Sequence, residues 1–407
     1  MDKKELQFED LAIWGHSPAF VQPLHVGRPN LGNRKQFSEY IDAIWERHWL
    51  TNNGPLVQEL EAALVDFLGV KHLILVNNGT IALEIAAKAA GVTGEVIMPS
   101  MTFTATPHAF QWQGIKPVFC DITHYPHNLD VDKVETLITP QTTAVVGVHL
   151  WGMPCDIARL EAIAQRHHLR LLFDAAHAFG CSYNGRAIGN FGDAEIFSFH
   201  ATKFFNTLEG GAIATNDDQI ADKARAMRNF GFTGHDQVEY IGTNGKMDET
   251  AAAMGLVSLD SIDHFIAVNH RNYQAYRQGL ADIPGVWLLP FDESEHNNFQ
   301  YVIAEINAAE AGFSRDELLQ VLQAENVLVR RYFYPGCHRG EPYVSTPGHT
   351  PQPLPVTEMV VDRALGFPTG TAVSPDDIQR ICQIVRLLAM MEPEQRQRLQ
   401  RILMERE

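Results

Sequence analysis

Two short segments carry residue types that can do chemistry. The first is Asp174-Ala-Ala-His177-Ala, which follows an apolar run. An aspartate in that position equally well caps the next helix. Buried, its carboxylate stays charged only beside a cation or several donors, and the protonated ring nitrogen of a cofactor is one such partner. His177, three residues on, either reaches the same ligand or is a satisfied structural histidine. The second segment is Phe197-Ser-Phe-His-Ala-Thr-Lys203. A lysine is ordinarily a solvated surface charge. Here it follows an apolar run and precedes Phe204-Phe205, a setting that puts its amine in an apolar crevice. Burial disfavours the ammonium, lowers the pKa from about 10.4 and makes the amine available as a nucleophile. Ser198 can donate to a phosphate, and Glu209-Gly-Gly211 makes a tight turn into the next strand.

Two weaker signals accompany these. Asn78-Gly79-Thr80 lies between a strand and a helix start, where free backbone amides and a hydroxyl favour an anion. Simple N-capping by Thr80 reads the same stretch equally well. Phe103, in Pro99-Ser-Met-Thr-Phe-Thr104, either stacks on a planar ring or belongs to the core.

The elements that must position these residues alternate. Leu56–Leu68 has helical spacing (Leu56, Leu60, Leu64, Phe67) and stops at Gly69, and Thr80–Ala90 is a second helix ending at Gly91. Apolar runs at His72–Val76, Glu95–Met98, Lys116–Phe119, Ala144–Val148, Arg170–Phe173, Glu195–Phe199 and Ala212–Thr215 read as strands. Helical stretches such as Ile157–His168 separate several of them. Short, continuously apolar strands between helices imply an α/β fold with a mostly parallel sheet covered on both faces. Ligands collect at the carboxyl ends of such strands, and all the segments above are strand-end loops.

Beyond residue 260 the pattern changes. Ser261–Leu280 reads as a long helix, Phe299–Ile306 and Val327–Tyr332 as strands, and Arg315–Glu325 and Pro375–Met391 as helices. The stretch from Tyr334 to Pro355 is dense in Pro, Gly and His and reads as a long ordered loop near a site. We expect three parts: residues 1–54 as an N-terminal segment contributing to the substrate site and small domain, 55–260 as a large domain, and 261–407 as a smaller α+β domain.

Composition narrows the classes. A net charge of −17 argues against general affinity for nucleic acid or anionic membranes. No apolar run approaches bilayer length, and Met1–Glu5 leads into a mixed segment with no secretory h-region. The five cysteines are scattered and form no Cys-x-x-Cys pair, which suits reduced thiols better than disulfides or zinc. A cytoplasmic setting is the expectation. The 18 histidines show no tight ligand spacing, so a metal hydrolase is disfavoured and no metal is expected.

In order, the segments read Gly-Thr, aromatic, Asp-x-x-His, Ser-x-x-x-x-Lys, Gly-Gly. In this the sequence resembles the DegT/DnrJ/EryC1/StrS family of nucleotide-sugar aminotransferases, over nearly the whole chain. The resemblance implies the fold-type-I architecture of transferases dependent on pyridoxal 5'-phosphate (PLP). It implies that Lys203 carries the cofactor as a Schiff base and moves protons at the amino-bearing carbon. Asp174 would pair with the pyridinium, His177 would contact the ring's hydroxyl side, and Phe103 would stack on its face. Gly79, Thr80 and Ser198 would hold the phosphate. The family also supplies an asparagine from a partner subunit, placed here at Asn244, which implies a homodimer with shared active sites. Relatives with histidine in place of the lysine act as sugar dehydratases, but Lys203 is present.

Further stretches resemble the branch that aminates C4 of a dTDP-4-keto-6-deoxyhexose with L-glutamate as donor, giving dTDP-4-amino-4,6-dideoxyglucose. They are Pro23–Pro29 with Trp49–Pro55, and Val329–His338. Thr51 and Asn52 would touch the sugar, Arg331 the pyrophosphate, and Tyr332, Tyr334 and His338 the sugar and base. The same aromatic loop can instead be a domain-packing plug. A galactose-configured product, amination at C3, or a non-catalytic regulatory relative are the alternatives.

Overall fold

The computed structural model describes residues 7–404. Residues 1–5, on which the expectation about a secretory segment rests, lie outside the described residues. A seven-stranded sheet forms the centre: β1 (His72–Val76), β2 (Glu95–Pro99), β3 (Lys116–Cys120), β4 (Thr142–Val148), β5 (Arg170–Asp174), β6 (Ala194–Ser198) and β7 (Gly211–Thr215). Their order is β1-β7-β6-β5-β4-β2-β3. All are parallel except β7, which runs antiparallel to both β1 and β6.

Alternate residues of each strand enter opposite cores, as the period-2 geometry of a strand requires. Leu73, Leu75, Ile97, Val145, Phe173 and Phe197 face one apolar cluster. Ile74, Val76, Val96, Val146, Leu172 and Ile196 face the other. Both faces are therefore dry, which is why these strands read as unbroken apolar runs.

Helix α1 (Arg34–Arg47) precedes α2 (Pro55–Leu68), which starts on a proline and ends at Gly69 in the left-handed region, φ +63. Its buried stripe is Leu56, Leu60, Leu64 and Leu68, while Phe67 is half-exposed and stacks on Phe179 at 5.3 Å. Leu60 is fully buried, so truncating it to alanine should cost about 2–5 kcal/mol. Helix α3 (Gly79–Ala89) follows β1 directly, and α4 (Ala105–Gln111) follows the loop after β2.

Past the long helix α5 (Ile262–Leu280), β8 (Val286–Leu288), β9 (Val302–Ile306) and β10 (Ala364–Phe367) make an antiparallel sheet in that order. Helix α6 (Pro375–Ala389) opens on a Ser374–Asp377 capping box and packs on α5 in this region's core, through Ile381, Val385 and Leu388. The N-terminal segment is fastened here too. Leu24–His25 pairs in parallel with Val327–Leu328, and the buried Glu325 carboxylate accepts the amides of Ala12 and Ala19 at 2.6 and 2.7 Å.

Two expected strands are shorter than their apolar runs. Phe299 has φ +48, and Asn298 and Gln300 spend their side chains on distant loops, so β9 starts only at Val302. The run from Val327 stops at Leu328. Arg330 then makes a two-way backbone bridge to Gly366, and Tyr332 turns away from any sheet.

Candidate active site

The carboxyl ends of β1, β2, β5 and β6 surround a cavity of about 610 Å³, a size suited to a cofactor with part of a substrate. Seven residues singled out from the sequence line it together: Gly79 and Thr80 from the start of α3, Phe103, Asp174, His177, Ser198 and Lys203. Tyr332 closes it from the C-terminal part of the chain.

Asp174 ends β5 with its carboxylate almost out of solvent. Thr106 on α4 donates to Oδ2 at 2.7 Å, and the Ala176 amide donates to Oδ1 at 3.0 Å. The Thr106 oxygen in turn takes a hydrogen bond from Thr102, at 2.7 Å. Burial pushes the Asp174 pKa up, and Thr106, the Ala176 amide and the charge of Lys203 pull it back. Among the described residues no cation lies at ion-pair distance from it. A buried carboxylate with two donors and no cation in direct contact suits a cationic ligand atom.

Lys203 follows β6 in a tight turn, its amide donating to His200 O at 2.8 Å. The residue is half-buried, but its amine lies deep, and burial lowers the pKa to about 8 against the opposing charge of Asp174. Nζ meets Tyr301 Oη at 3.1 Å. His177 is held well below its ordinary pKa, first by burial and then by Lys203, so it is neutral. Its Nδ1 accepts the Trp151 amide at 3.2 Å, which leaves the proton on Nε2 as a donor.

The other end of the cavity lies at the start of α3. Asn78 Oδ1 caps that helix through the Ile81 amide at 2.8 Å, and the amides of Gly79 and Thr80 have no hydrogen-bond partner among the described residues. A Cβ on Gly79 would meet Ser198 Cβ at 3.0 Å, and one on Gly211 would lie 2.7 Å from the Asn78 carbonyl carbon. Glycine at both positions lets the helix start settle against the ends of β6 and β7.

The remaining residues singled out from the sequence are not brought into this cavity. Arg331 and Tyr334 line an adjoining groove of about 550 Å³, which meets the cavity at Thr102, Phe103, Tyr332 and Phe333. Arg331 is paired with Asp316 at 3.2 Å and lies over the Tyr334 ring at 4.4 Å. His338 is buried with Nδ1 on Ser100 Oγ at 2.6 Å, which anchors the Tyr334–Pro355 loop. Thr51 accepts from Trp49 Nε1 through its carbonyl, and Asn52 lines a different pocket with Arg225, Arg228 and Lys246. Asn244 accepts from Asn77 through its carbonyl, and its side-chain oxygen takes the Lys246 amine.

The family model for DegT/DnrJ/EryC1/StrS aminotransferases matches residues 32–386. The chain belongs to this family. It is thus a PLP-dependent sugar aminotransferase, and its mostly parallel α/β sheet is the fold of such enzymes. Among its relatives, dTDP-4-amino-4,6-dideoxy-D-glucose transaminase of Shigella dysenteriae is 38% identical over 365 residues, 90% of this chain and 99% of that one. GDP-perosamine synthase of Caulobacter vibrioides is 33% identical, over 88% of this chain and 96% of its own length. A solved structure described as DesI in the presence of its TDP-sugar product is 51% identical, with a TM-score of 0.92 over 96% of this chain and 99% of that one.

The cavity fits PLP on its own chemistry. It offers a buried carboxylate with no cation in direct contact, a depressed amine, two helix-start amides beside a serine, and Phe103, an aromatic ring left 58% exposed. Sequence reasoning missed Thr106, Tyr301 and the Asn298–Gln300 clamp. Thr106 had a faint signal, as a second hydroxyl one helical turn after Thr102; the others act across the fold and had none.

Proposed function

We propose that the chain moves the amino group of L-glutamate to C4 of a dTDP-4-keto-6-deoxyhexose, giving dTDP-4-amino-4,6-dideoxyglucose. The observation that carries the aminotransfer chemistry is the single cavity shared by a depressed Lys203 amine and a buried Asp174 carboxylate with no cation in direct contact. The choice of sugar draws support from the relative bearing that product's name and from the 51% identical structure with a TDP-sugar product.

Lys203 serves as the amine that carries the cofactor and, once free, as the base that moves a proton at the amino-bearing carbon. Bound PLP supplies an electron sink for the charge left there. Asp174 holds the cofactor's ring nitrogen, with Thr106 and the Ala176 amide aiming the carboxylate. His177 offers its Nε2 proton to the ring's hydroxyl side, and Phe103 covers the ring face. The Gly79 and Thr80 amides and the Ser198 hydroxyl take the phosphate. The Arg331–Tyr334 groove, continuous with the cavity, receives the nucleotide diphosphate, with Arg331 exchanging Asp316 for phosphate oxygens. Thr51, Asn52 and His338 line neither the cavity nor the groove, and their assignment to the sugar nucleotide rests on the resemblance alone.

Asn244 completes the site of a second copy, which makes the active unit a homodimer. Exposed Trp45, Trp49, Leu50 and Ile241 are apolar surface in want of cover and support that reading. The division at residue 260 draws support from the separate small sheet beyond it. The segment before residue 54 is shared, Phe8, Leu11 and Leu24 joining the core under that sheet and Ile44 the core of the large one. A reducing, cytoplasmic setting is supported by five buried, unbridged cysteines.

The experiment uses the purified chain with PLP. A visible absorption band should form, fade with L-glutamate and return with dTDP-4-keto-6-deoxyglucose, and the product's structure should show nitrogen at C4. Turnover of a GDP-linked keto-sugar but not the dTDP-linked one would overturn the substrate assignment. A Lys203→Ala variant with undiminished turnover would overturn the role of Lys203.

A further inference from the structure

The turn that delays β9 has a consequence for Lys203. Asn298 Nδ2 donates to the carbonyls of His177 and Phe179 at 2.8 and 3.0 Å. Gln300 brackets the lysine: its Oε1 accepts the Phe204 amide at 3.2 Å, and its Nε2 donates to Thr202 O at 3.3 Å. Between these clamps and β9 sits Tyr301, whose ring packs on His177 at 4.4 Å and against Tyr332 at 5.8 Å. Its hydroxyl is the one hydrogen-bond partner of the Lys203 amine among the described residues, at 3.1 Å.

We propose that Tyr301 is a positioning residue for the aminotransfer reaction, its hydroxyl holding the Lys203 amine inside the cavity whenever that amine is not covalently engaged. A free lysine side chain has many rotamers, and a base must lie within reach of the proton it moves. The clamp ties Tyr301 to the two residues flanking Lys203, so hydroxyl and amine keep register if the loop shifts. Tyr301 stays protonated, because burial raises its pKa well above the ordinary value. It accepts from the ammonium and donates to the neutral amine. The charged form gains more from the contact, since a hydrogen bond to a charged group is the stronger kind.

The proposal rests on Lys203 being the cofactor-bearing amine, yet it can fail separately, because its main readout uses the full chain without cofactor. The pH dependence of Lys203 acylation, followed by peptide mass spectrometry, should show a wild-type midpoint at about 8. Asp174, His177, His200, Glu209 and Tyr332 share the cavity, and Arg28 lines a recess on another side of Lys203; all are common to every variant. Tyr301→Phe should lower the midpoint by roughly one pH unit, a tenfold weaker hold on the proton. Tyr301→Leu should move it the same way. Tyr276→Phe, which removes an equally buried hydroxyl from the Pro368 carbonyl, should leave it in place. In the holoenzyme, Tyr301→Phe should lower kcat roughly tenfold with KM for glutamate unchanged. A midpoint that stays or rises in both Tyr301 variants overturns the proposal. Absence of a visible band in the wild type would instead overturn the cofactor role of Lys203.

Discussion

Replacing Lys203 by methionine should favour the cofactor-free protein more at neutral pH than in alkali, by an amount set by the depressed amine. The reason is linkage. In the fold the amine has a pKa of about 8, lowered by burial, against 10.5 for a free lysine. Between those values the unfolded chain binds the extra proton, so wild-type stability rises with pH across that window. Below about pH 8 both states are charged and the folded state bears the whole penalty. Above about 10.5 both are neutral and it bears none. At about 1.4 kcal/mol per pH unit, the gap amounts to about 3 kcal/mol.

Methionine keeps the apolar stem and carries no charge. Leaving the Tyr301 hydroxyl without its partner costs about 1–3 kcal/mol, but that cost is constant with pH. The diagnostic is therefore the difference between the two proteins, in which constant terms and all other titrating groups cancel. Denaturation of both cofactor-free chains at a series of pH values from about 7 to 10.5 measures it. The difference should shrink by about 3 kcal/mol over that range. A difference that is flat with pH would refute the claim that the amine is buried and depressed.

Three further outcomes follow from the same geometry. Asp174→Asn should reduce kcat by roughly a hundredfold or more while leaving the fold intact, read by steady-state assay with glutamate and keto-sugar, because the ring nitrogen loses its charged partner. Thr106→Val removes a donor from a carboxylate whose pKa burial already raises, so that pKa should climb further. The acid limb of the kcat–pH profile should then move up by roughly one pH unit. Gly211→Ala would set a Cβ 2.7 Å from the Asn78 carbonyl carbon and push α3 off the strand ends. Overpacking of about 1–3 kcal/mol should weaken PLP affinity roughly tenfold or more, measured by titrating the visible band.

The large sheet was readable because its signals are local. Each of the seven strands appears as a short apolar run, and their bounds in the structure differ from those runs by a residue or two. The reversed direction of β7 was not readable, since Ala212–Thr215 is a short apolar run like those of the strands that run parallel to one another. In the smaller sheet, β8 and β10 passed unnoticed: three and four residues long, they carry too little periodicity to stand out. Phe299–Tyr301 and Val329–Tyr332 misled in the opposite sense: Tyr301 and Tyr332 are aromatic where they line the cavity, and neither belongs to a strand.

By itself, then, the sequence determined that a two-faced α/β sheet would carry Gly79, Thr80, Phe103, Asp174, His177, Ser198 and Lys203 at its strand ends. That much follows from apolar runs broken by polar loops, a pattern written in consecutive residues. Tertiary structure decided what those residues can do. Thr106 reaches Asp174 across 68 positions of chain, and Tyr301 reaches Lys203 across 98. Desolvation, which lowers the pKa of the Lys203 amine to about 8, exists only with the C-terminal part packed against the cavity, where Tyr301 and Tyr332 line it. Burial and long-range contact are properties of the packed molecule, and no local reading of residue types contains them.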